Sequence, residues 1–345
     1  MDNIDGTEEE RLRQHLPVTT IPSGKVLVYV SSLAGKRFQK STIPISEDSK
    51  TAAVEISVDA RQEFQSIIGF GGAFTDSVGI NLNSLSNTTR QRLLEAYFGR
   101  NGIGYNLGRV PIASTDFSTR EYSYADVEGD MKMAEFSLKD EDFDYKIPYI
   151  LTAMNLTGGN IRLFASPWSA PGWMKTNGRM KGGGTLKGKV NGPYYQSYAT
   201  YLVRFVDEEA IFNDPEATKY VDGIGVHWYL NFLMPASVLT TTHNRHPDKF
   251  LLATEACAGS TLIHGPVMGD WYRAEEYAED IITDLNNFVA GWTDWNLCLD
   301  EQGGPNWVSN FVDSPIIVNG AADEFYKQPM FYAMGHFRSS NFSAT

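Results

Sequence analysis

The sequence predicts an α/β fold of (β/α)8 barrel type, incomplete at about six of eight strands and preceded by a short N-terminal β segment. Three observations predict it. Strand-like runs alternate with helical stretches, which implies parallel β-α-β units. The runs are continuous and largely apolar and end in polar residues, which suits strands buried on both faces. Polar and aromatic residues gather at the C-terminal end of nearly every run: Asp116 and Phe117, Trp168, Trp228 and Tyr229, Glu255, then Trp295 and Asn296. One site fed by all the strand ends is a barrel pattern, whereas a doubly wound sheet would concentrate such residues at one switch point.

The elements follow in order. Residues 1–22 form a polar lead. Strand-like runs at 25–31 and 53–58 predict a hairpin, the second alternating Val54, Ile56 and Val58 with Glu55 and Ser57. The barrel pattern starts near residue 63 with a run at 64–72, a helix around 90–97 and a strand at 104–112. A helix follows at 147–154, a strand at 161–168 and a helix at 194–209. The last units are a strand at 223–229, a helix before His246, a strand at 250–257, a helix at 274–288 and a strand at 290–297. The expected organisation is a lead and β segment over 1–62, the barrel over 63–340 and a tail over 341–345. Only six strands can be counted where a barrel needs eight. The gap falls between Asp207 and Asp214, where two helical units meet with no strand between them.

Composition narrows the function. The 345 residues carry 42% hydrophobic and 21% charged side chains, ordinary globular values that exclude disorder and fibrous repeats. No stretch of 18 apolar residues predicts a membrane span. The net charge of −13 argues against nucleic acid and suits an acidic compartment or a neutral or cationic partner. Two cysteines, Cys257 and Cys298, are too few for a disulfide framework. Glu8–Glu10 occupy the place of a basic leader region, so no signal peptide is expected. The sequons at Asn87, Asn155 and Asn341 point mildly the other way. The unusual quantity is aromatic content: seven Trp, 17 Tyr and 19 Phe, or 12% of the chain. Aromatic faces beside polar groups are what sugar rings stack on, although most of these residues must be core.

Several motifs carry no chemistry. Gly69-Phe70-Gly71-Gly72 is not a dinucleotide fingerprint and reads as a tight turn at a strand end. Gly182-Gly183-Gly184-Thr185-Leu186-Lys187 lacks the order of a phosphate loop and reads as a surface loop. His243 and His246 have no third ligand and read as a solvated helix end. No Gly-x-Ser-x-Gly elbow is present. Cys257 would share a strand face with Glu255, yet a small buried hydrophobe is the commoner role for a free cysteine.

Glu255 is the informative residue. It ends the apolar run Phe250-Leu251-Leu252-Ala253-Thr254, where an unpaired buried carboxylate is expensive. It is either a strand-end glutamate paired with Arg or Tyr, or a carboxylate placed to attack an anomeric carbon. A glycosidase needs a second carboxyl, about 5–5.5 Å away for retention. Asp116 and Asp294 are the nearest by strand position, and neither is a convincing acid.

Seven long stretches, among them FQSIIGFGGAFTDS, LFASPWSAPGWMKTNG, LLATEACAGS and GWTDWNLCLDEQGGPNWVSNFVDSPIIV, resemble the glucosylceramidase family, the acid β-glucosidases of glycoside hydrolase family 30. The resemblance covers roughly residues 60–340. It implies retaining hydrolysis of glucosylceramide or a related β-glucoside without metal or cofactor, in the lysosome, with an activator protein and a membrane-surface substrate as possible partners. On it, Glu255 is the nucleophile, Asp116 hydrogen-bonds glucose hydroxyls, and Trp168 and Trp295 line the pocket. Trp228 and Tyr229 would border the entrance with Phe117 nearby, Asn310 would contact sugar, and Arg109 would order the site. The family's acid/base glutamate lies in an Asn-Glu-Pro motif after the fourth strand, and no Asn-Glu-Pro occurs here. Asn213-Asp214-Pro215-Glu216 matches a helix preceding the sixth family strand and is no substitute. The family's C-terminal β strands are also absent. Two readings follow: an impaired glucosylceramidase whose sequence is incomplete, or a catalytically dead sugar- or lipid-binding protein.

Overall fold

The computed structural model describes residues 23–46, 56–59, 61–208, 223–231, 233–260 and 263–338. Two short strands come first, β1 (Lys25–Val30) and β2 (Gln39–Pro44), paired antiparallel from Lys25↔Pro44 to Val30↔Gln39. The expected hairpin partner was 53–58. Residues 53–55 lie outside the described residues, and Ile56 and Val58 are exposed and not in a strand. Alternation alone cannot hold a strand that has no neighbour to pair with. Arg37 in the connecting turn lies over the Trp271 ring at 5.5 Å, and Ser31 meets His336 at 2.9 Å.

The main sheet has six parallel strands: β3 (Gly69–Ala73), β4 (Leu107–Ile112), β5 (Arg162–Pro167), β6 (Gly223–His227), β7 (Phe250–Ala256) and β8 (Val289–Asn296). Their spatial order is β5-β4-β3-β8-β7-β6. The first and last strands are therefore neighbours, as in a closed barrel, with Gly69 opposite Gly291 and Phe70 opposite Trp292. The opening lies between β5 and β6, which are consecutive along the chain. Two units' absence was expected at this point, although the junction itself, 209–222, lies outside the described residues. Among those residues β5 pairs only with β4, and β6 only with β7.

Glycine makes the seam possible. Gly69-Phe70-Gly71-Gly72 is not the expected turn but β3 itself, because its neighbours come so close. A Cβ on Gly71 would stand 1.7 Å from the Leu107 carbonyl oxygen, and one on Gly291 would stand 2.2 Å from that of Gly69.

Helices cover the sheet's outer face: α1 (Asp76–Asn83), α2 (Asn87–Phe98), α3 (Ile147–Leu156), α4 (Pro193–Glu208), α5 (Ser237–Arg245), α6 (Trp271–Leu285) and α7 (Pro329–Arg338). Their starts are locally coded. Thr75 caps α1 by accepting from the Val78 amide at 3.2 Å, Ser86 caps α2 through the Thr89 amide, and Asp270 caps α6 through the Tyr272 amide at 3.0 Å. In α6, Ala274, Tyr277 and Ile281 recur at helical spacing and are buried against β8. Helix α1 was not expected, since its eight residues mix Asp, Ser, Gly and Asn and lack an apolar stripe. A three-stranded sheet was also missed: β9 (Leu299–Asp300), β10 (Ile316–Asn319) and β11 (Glu324–Lys327). These strands are too short to give a period. The loop between β9 and β10 returns over the strand ends.

Candidate active site

The C-terminal ends of β4, β5, β7 and β8 enclose a pocket of about 420 Å³ lined by Asp116, Trp168, Tyr229, Glu255, Trp295 and Asn310, among others. Alternation in β8 explains one of its members and excludes two neighbours. Trp292 and Asp294 face outward, the indole donating to Asp280 of α6 at 2.8 Å and the carboxylate accepting from Tyr277 at 3.0 Å. Trp295 therefore faces the pocket. Asp294 belongs to the helix layer, which removes it as a partner carboxyl for Glu255. Burial holds the Asp294 carboxyl well above the usual carboxylate range.

Glu255, 6% exposed, sits at the end of β7 with both oxygens engaged. Oε2 accepts from Arg109 Nη1 in a buried ion pair, and Oε1 accepts from the Tyr229 hydroxyl at 2.8 Å. The same hydroxyl meets Cys257 Sγ at 3.3 Å. Burial and then the neighbouring thiol and carboxylate push the Tyr229 phenol up, so it stays a donor. Arg109 comes from the centre of β4. Its Nε donates to Ser166 Oγ at 2.8 Å and its Nη1 to the Thr254 carbonyl at 3.2 Å. Burial lowers its pKa somewhat, while Glu255 pulls the other way. A guanidinium remains charged under either influence and offsets the cost of burying the carboxylate. The pairing expected of a strand-end glutamate is present, and it orients the carboxylate at the pocket wall.

Aromatic faces form the other wall. Trp168 and Trp295 stack with ring centres 4.6 Å apart and planes within 5°, and the Arg109 guanidinium lies 4.7 and 4.9 Å from the two centroids. Trp168 is 38% exposed, so one indole face is open to solvent. Phe117 is fully buried behind Trp295, edge-on at 5.8 Å, and supports the platform without lining the pocket. Trp228 goes elsewhere: its ring meets Tyr277 and Trp292 edge-on at 5.3 and 6.1 Å, on the helix side of the sheet. The chain turns through a short 3-10 segment at Trp228–Leu230, which sends Trp228 outward and Tyr229 inward.

Asp116 is held from the β9–β10 loop. Its Oδ2 accepts from Asn310 at 2.9 Å and Asn306 at 3.3 Å, while Oδ1 is buried without a hydrogen-bond partner. That oxygen is free to take a hydroxyl. Burial raises the Asp116 pKa against these two amides. The Trp307 indole donates to the Thr115 carbonyl at 2.7 Å and latches the loop. Asn306 and Trp307 were missed as individual residues, although they lie inside the GGPNWVSNF stretch. Ser166 was missed because a lone serine in an apolar run carries no signal. Behind the β4 end a buried lysine, Lys146, ties Asp142 at 2.8 Å, Asp76 at 3.3 Å and the Tyr122 hydroxyl at 3.1 Å. Nothing in its local sequence, before Ile147 and Pro148, marks it for burial.

A (β/α)8-type sheet whose strand ends converge on one oriented carboxylate beside an indole platform is the layout of a barrel glycosidase. The chain belongs to glycosyl hydrolase family 30: the family's TIM-barrel domain matches residues 67–211 and 208–342, in two pieces that meet at the strand gap. It is 47% identical to a putative glucosylceramidase 3 of Caenorhabditis elegans, covering 93% of this chain and 76% of that one. It is 39% identical to the lysosomal acid glucosylceramidase of Mus musculus, covering 93% and 77%. The nematode alignment runs over 398 positions, while 93% of 345 residues is about 321, so about 77 positions of the relative face no residue here. Among solved structures, SrfJ of Salmonella typhimurium superposes with a TM-score of 0.78 at 25% identity, covering 92% of this chain and 84% of that one. An endo-β1,6-glucanase superposes at 0.75 with 22% identity and the same coverage, a likeness of fold alone.

Proposed function

We propose that the chain is a glucosylceramidase-type retaining β-glucosidase, acting in an acidic compartment on glucosylceramide or a related β-glucoside, with its leaving-group chemistry impaired. The observation that carries the reading is the Glu255 carboxylate, fixed between Arg109 and Tyr229 at the wall of a pocket with an indole platform. Oriented in this way, Glu255 attacks the anomeric carbon and becomes a glucosyl ester. Asp116 Oδ1 and Asn310 take sugar hydroxyls, and Trp168 and Trp295 take the ring's C–H face. The catalytic unit is residues 63–340, with 1–62 as lead and 341–345 as tail.

The step that suffers is protonation of the departing oxygen, because no Asn-Glu-Pro is present. Loss of a general acid removes about 10²–10⁴ in rate. The same absence favours a second reading, a sugar- or lipid-binding protein without turnover. Two measurements decide. An activated aryl β-glucoside needs no proton on its leaving group, so the purified chain should release the phenol and stall or turn over slowly, and Glu255→Gln should abolish release. Release that persists in Glu255→Gln removes the assignment, and none in the parent favours the binding protein. Amplifying the transcript across codons 205–216 tests the gap: a longer product carrying Asn-Glu-Pro marks this sequence as incomplete.

A further inference from the structure

The opening between β5 and β6 leaves one titratable side chain on the inner face of the exposed edge. His227 ends β6 and pairs with Glu255 on β7 across a one-residue shift of register. The approach of the two side chains puts the imidazole on the carboxylate's face. Its Nδ1 lies 4.0 Å from Glu255 Oε1, and its ring meets Tyr229 edge-on at 6.1 Å. The side chain is 43% exposed, because no strand among the described residues pairs with the outer edge of β6. We propose that His227 is the proton donor, and afterwards the base, that stands in for the missing acid/base carboxyl of this chain. The proposal rests on the reading of Glu255 as nucleophile.

The chemistry balances. In the first step Glu255 attacks the anomeric carbon and the bond to the aglycone oxygen breaks. Its electron pair stays on that oxygen, which takes the proton from the imidazolium, leaving a neutral imidazole and a glucosyl ester. In the second step water attacks the same carbon, the imidazole takes its proton, and the ester bond returns its electrons to the Glu255 carboxylate. The charge around His227 follows this cycle. Burial lowers its pKa, the Glu255 carboxylate from β7 raises it, and the Arg109 guanidinium from β4 lowers it; Tyr229 stays neutral. When Glu255 is esterified its negative charge vanishes while Arg109 remains, so the imidazole gives up its proton more readily when a base is needed.

The test compares phenyl β-glucoside, which needs a proton on its leaving group, with 2,4-dinitrophenyl β-glucoside, which does not. The parent chain should hydrolyse both, with the phenyl substrate losing rate as pH rises through the imidazole pKa, below the ordinary histidine value. His227→Ala and the bulkier His227→Gln should lose about 10²–10⁴ on the phenyl substrate and keep kcat/KM for the dinitrophenyl substrate, which reports the first step alone, within about threefold. Azide should accelerate their turnover and yield β-glucosyl azide, because an anion needs no base. Phenyl hydrolysis in either variant within about threefold of the parent, or a parent profile without the alkaline limb, overturns the proposal. Absence of a Glu255 adduct in the parent overturns the nucleophile reading, and this proposal with it. Measuring the limb in the parent keeps the test decisive if both variants misfold.

Discussion

The two halves of the sheet carry the same strand chemistry with opposite results. In β3, β4 and β8 every residue is buried, with helices outside and facing strands inside. In β5 and β6 no residue is fully buried, although Leu163, Phe164, Ile224 and Val226 are as apolar as their counterparts. The difference is the missing neighbour. A strand designed for burial on two faces and two edges is stable only when all four are covered, and an open edge with apolar residues invites pairing with another chain. The residues of the candidate site divide along the same line. Glu255, Arg109 and Trp295 stand on covered strands with their partners in place, whereas Trp168 follows β5 and His227 ends β6, the open strands, and both are exposed.

Closing the opening should have the largest effect. Inserting, between Asp207 and Asp214, the aligned segment of the 47% identical nematode relative should raise glucosylceramide turnover above the level that His227 sustains. It should also convert an aggregation-prone chain to a monomer, read by light scattering. A graft that folds as a monomer without a gain in rate breaks the link between the opening and the lost acid. Arg109 bridges the halves, touching Ser166 on β5 and Glu255 on β7. Arg109→Met leaves a buried carboxylate unpaired and should cost about 3–5 kcal/mol in urea unfolding. A cost under about 1 kcal/mol would mean that the carboxylate is solvated through the opening.

On the covered side, Asp284 of α6 is buried and its carboxyl is pushed up to about 7 by burial. Its folded pKa is above the ordinary 3.8, so its contribution to stability is complete below that value and lost as pH rises through about 7. Asp284→Asn should therefore stabilise by about 1–3 kcal/mol at pH 8 and leave stability unchanged at pH 3, measured by denaturant midpoints. The smallest contrast is a matched pair. Val110→Ala at the covered centre should cost about 1–3 kcal/mol and Val226→Ala at the open edge under about 1 kcal/mol. Equal costs would show that the edge is covered in solution, by a second copy or by another part of the chain.

Much of this was legible in the sequence. The six strands and the gap could be read because runs buried on both faces are continuous and largely apolar and alternate with helical stretches. Glu255 was legible for the converse reason, as a carboxylate where an apolar run had no business ending in a charge. What escaped was set by tertiary pairing. The partner of β1 depended on a turn at Ser31–Phe38 and not on alternation, and the glycines of β3 looked like a turn until the close approach of Leu107 gave them a purpose. Trp228 and Tyr229 are adjacent in sequence, yet a single turn of 3-10 helix sends them to opposite sides of the sheet. Asn306, Trp307 and Lys146 gain their roles from contacts with Asp116, Thr115 and Asp142, which no local pattern encodes.

The central claim is that the opening removed the acid but left the nucleophile's half of the site in working order. A 2-deoxy-2-fluoro-β-glucoside with a dinitrophenyl leaving group tests it directly, since its ester forms without acid assistance and breaks down slowly. Peptide mass spectrometry after incubation should find one fluoroglucosyl group per chain, on the peptide carrying Glu255. A label on another carboxyl, or an unlabelled chain under conditions that label the complete relative, would contradict the account.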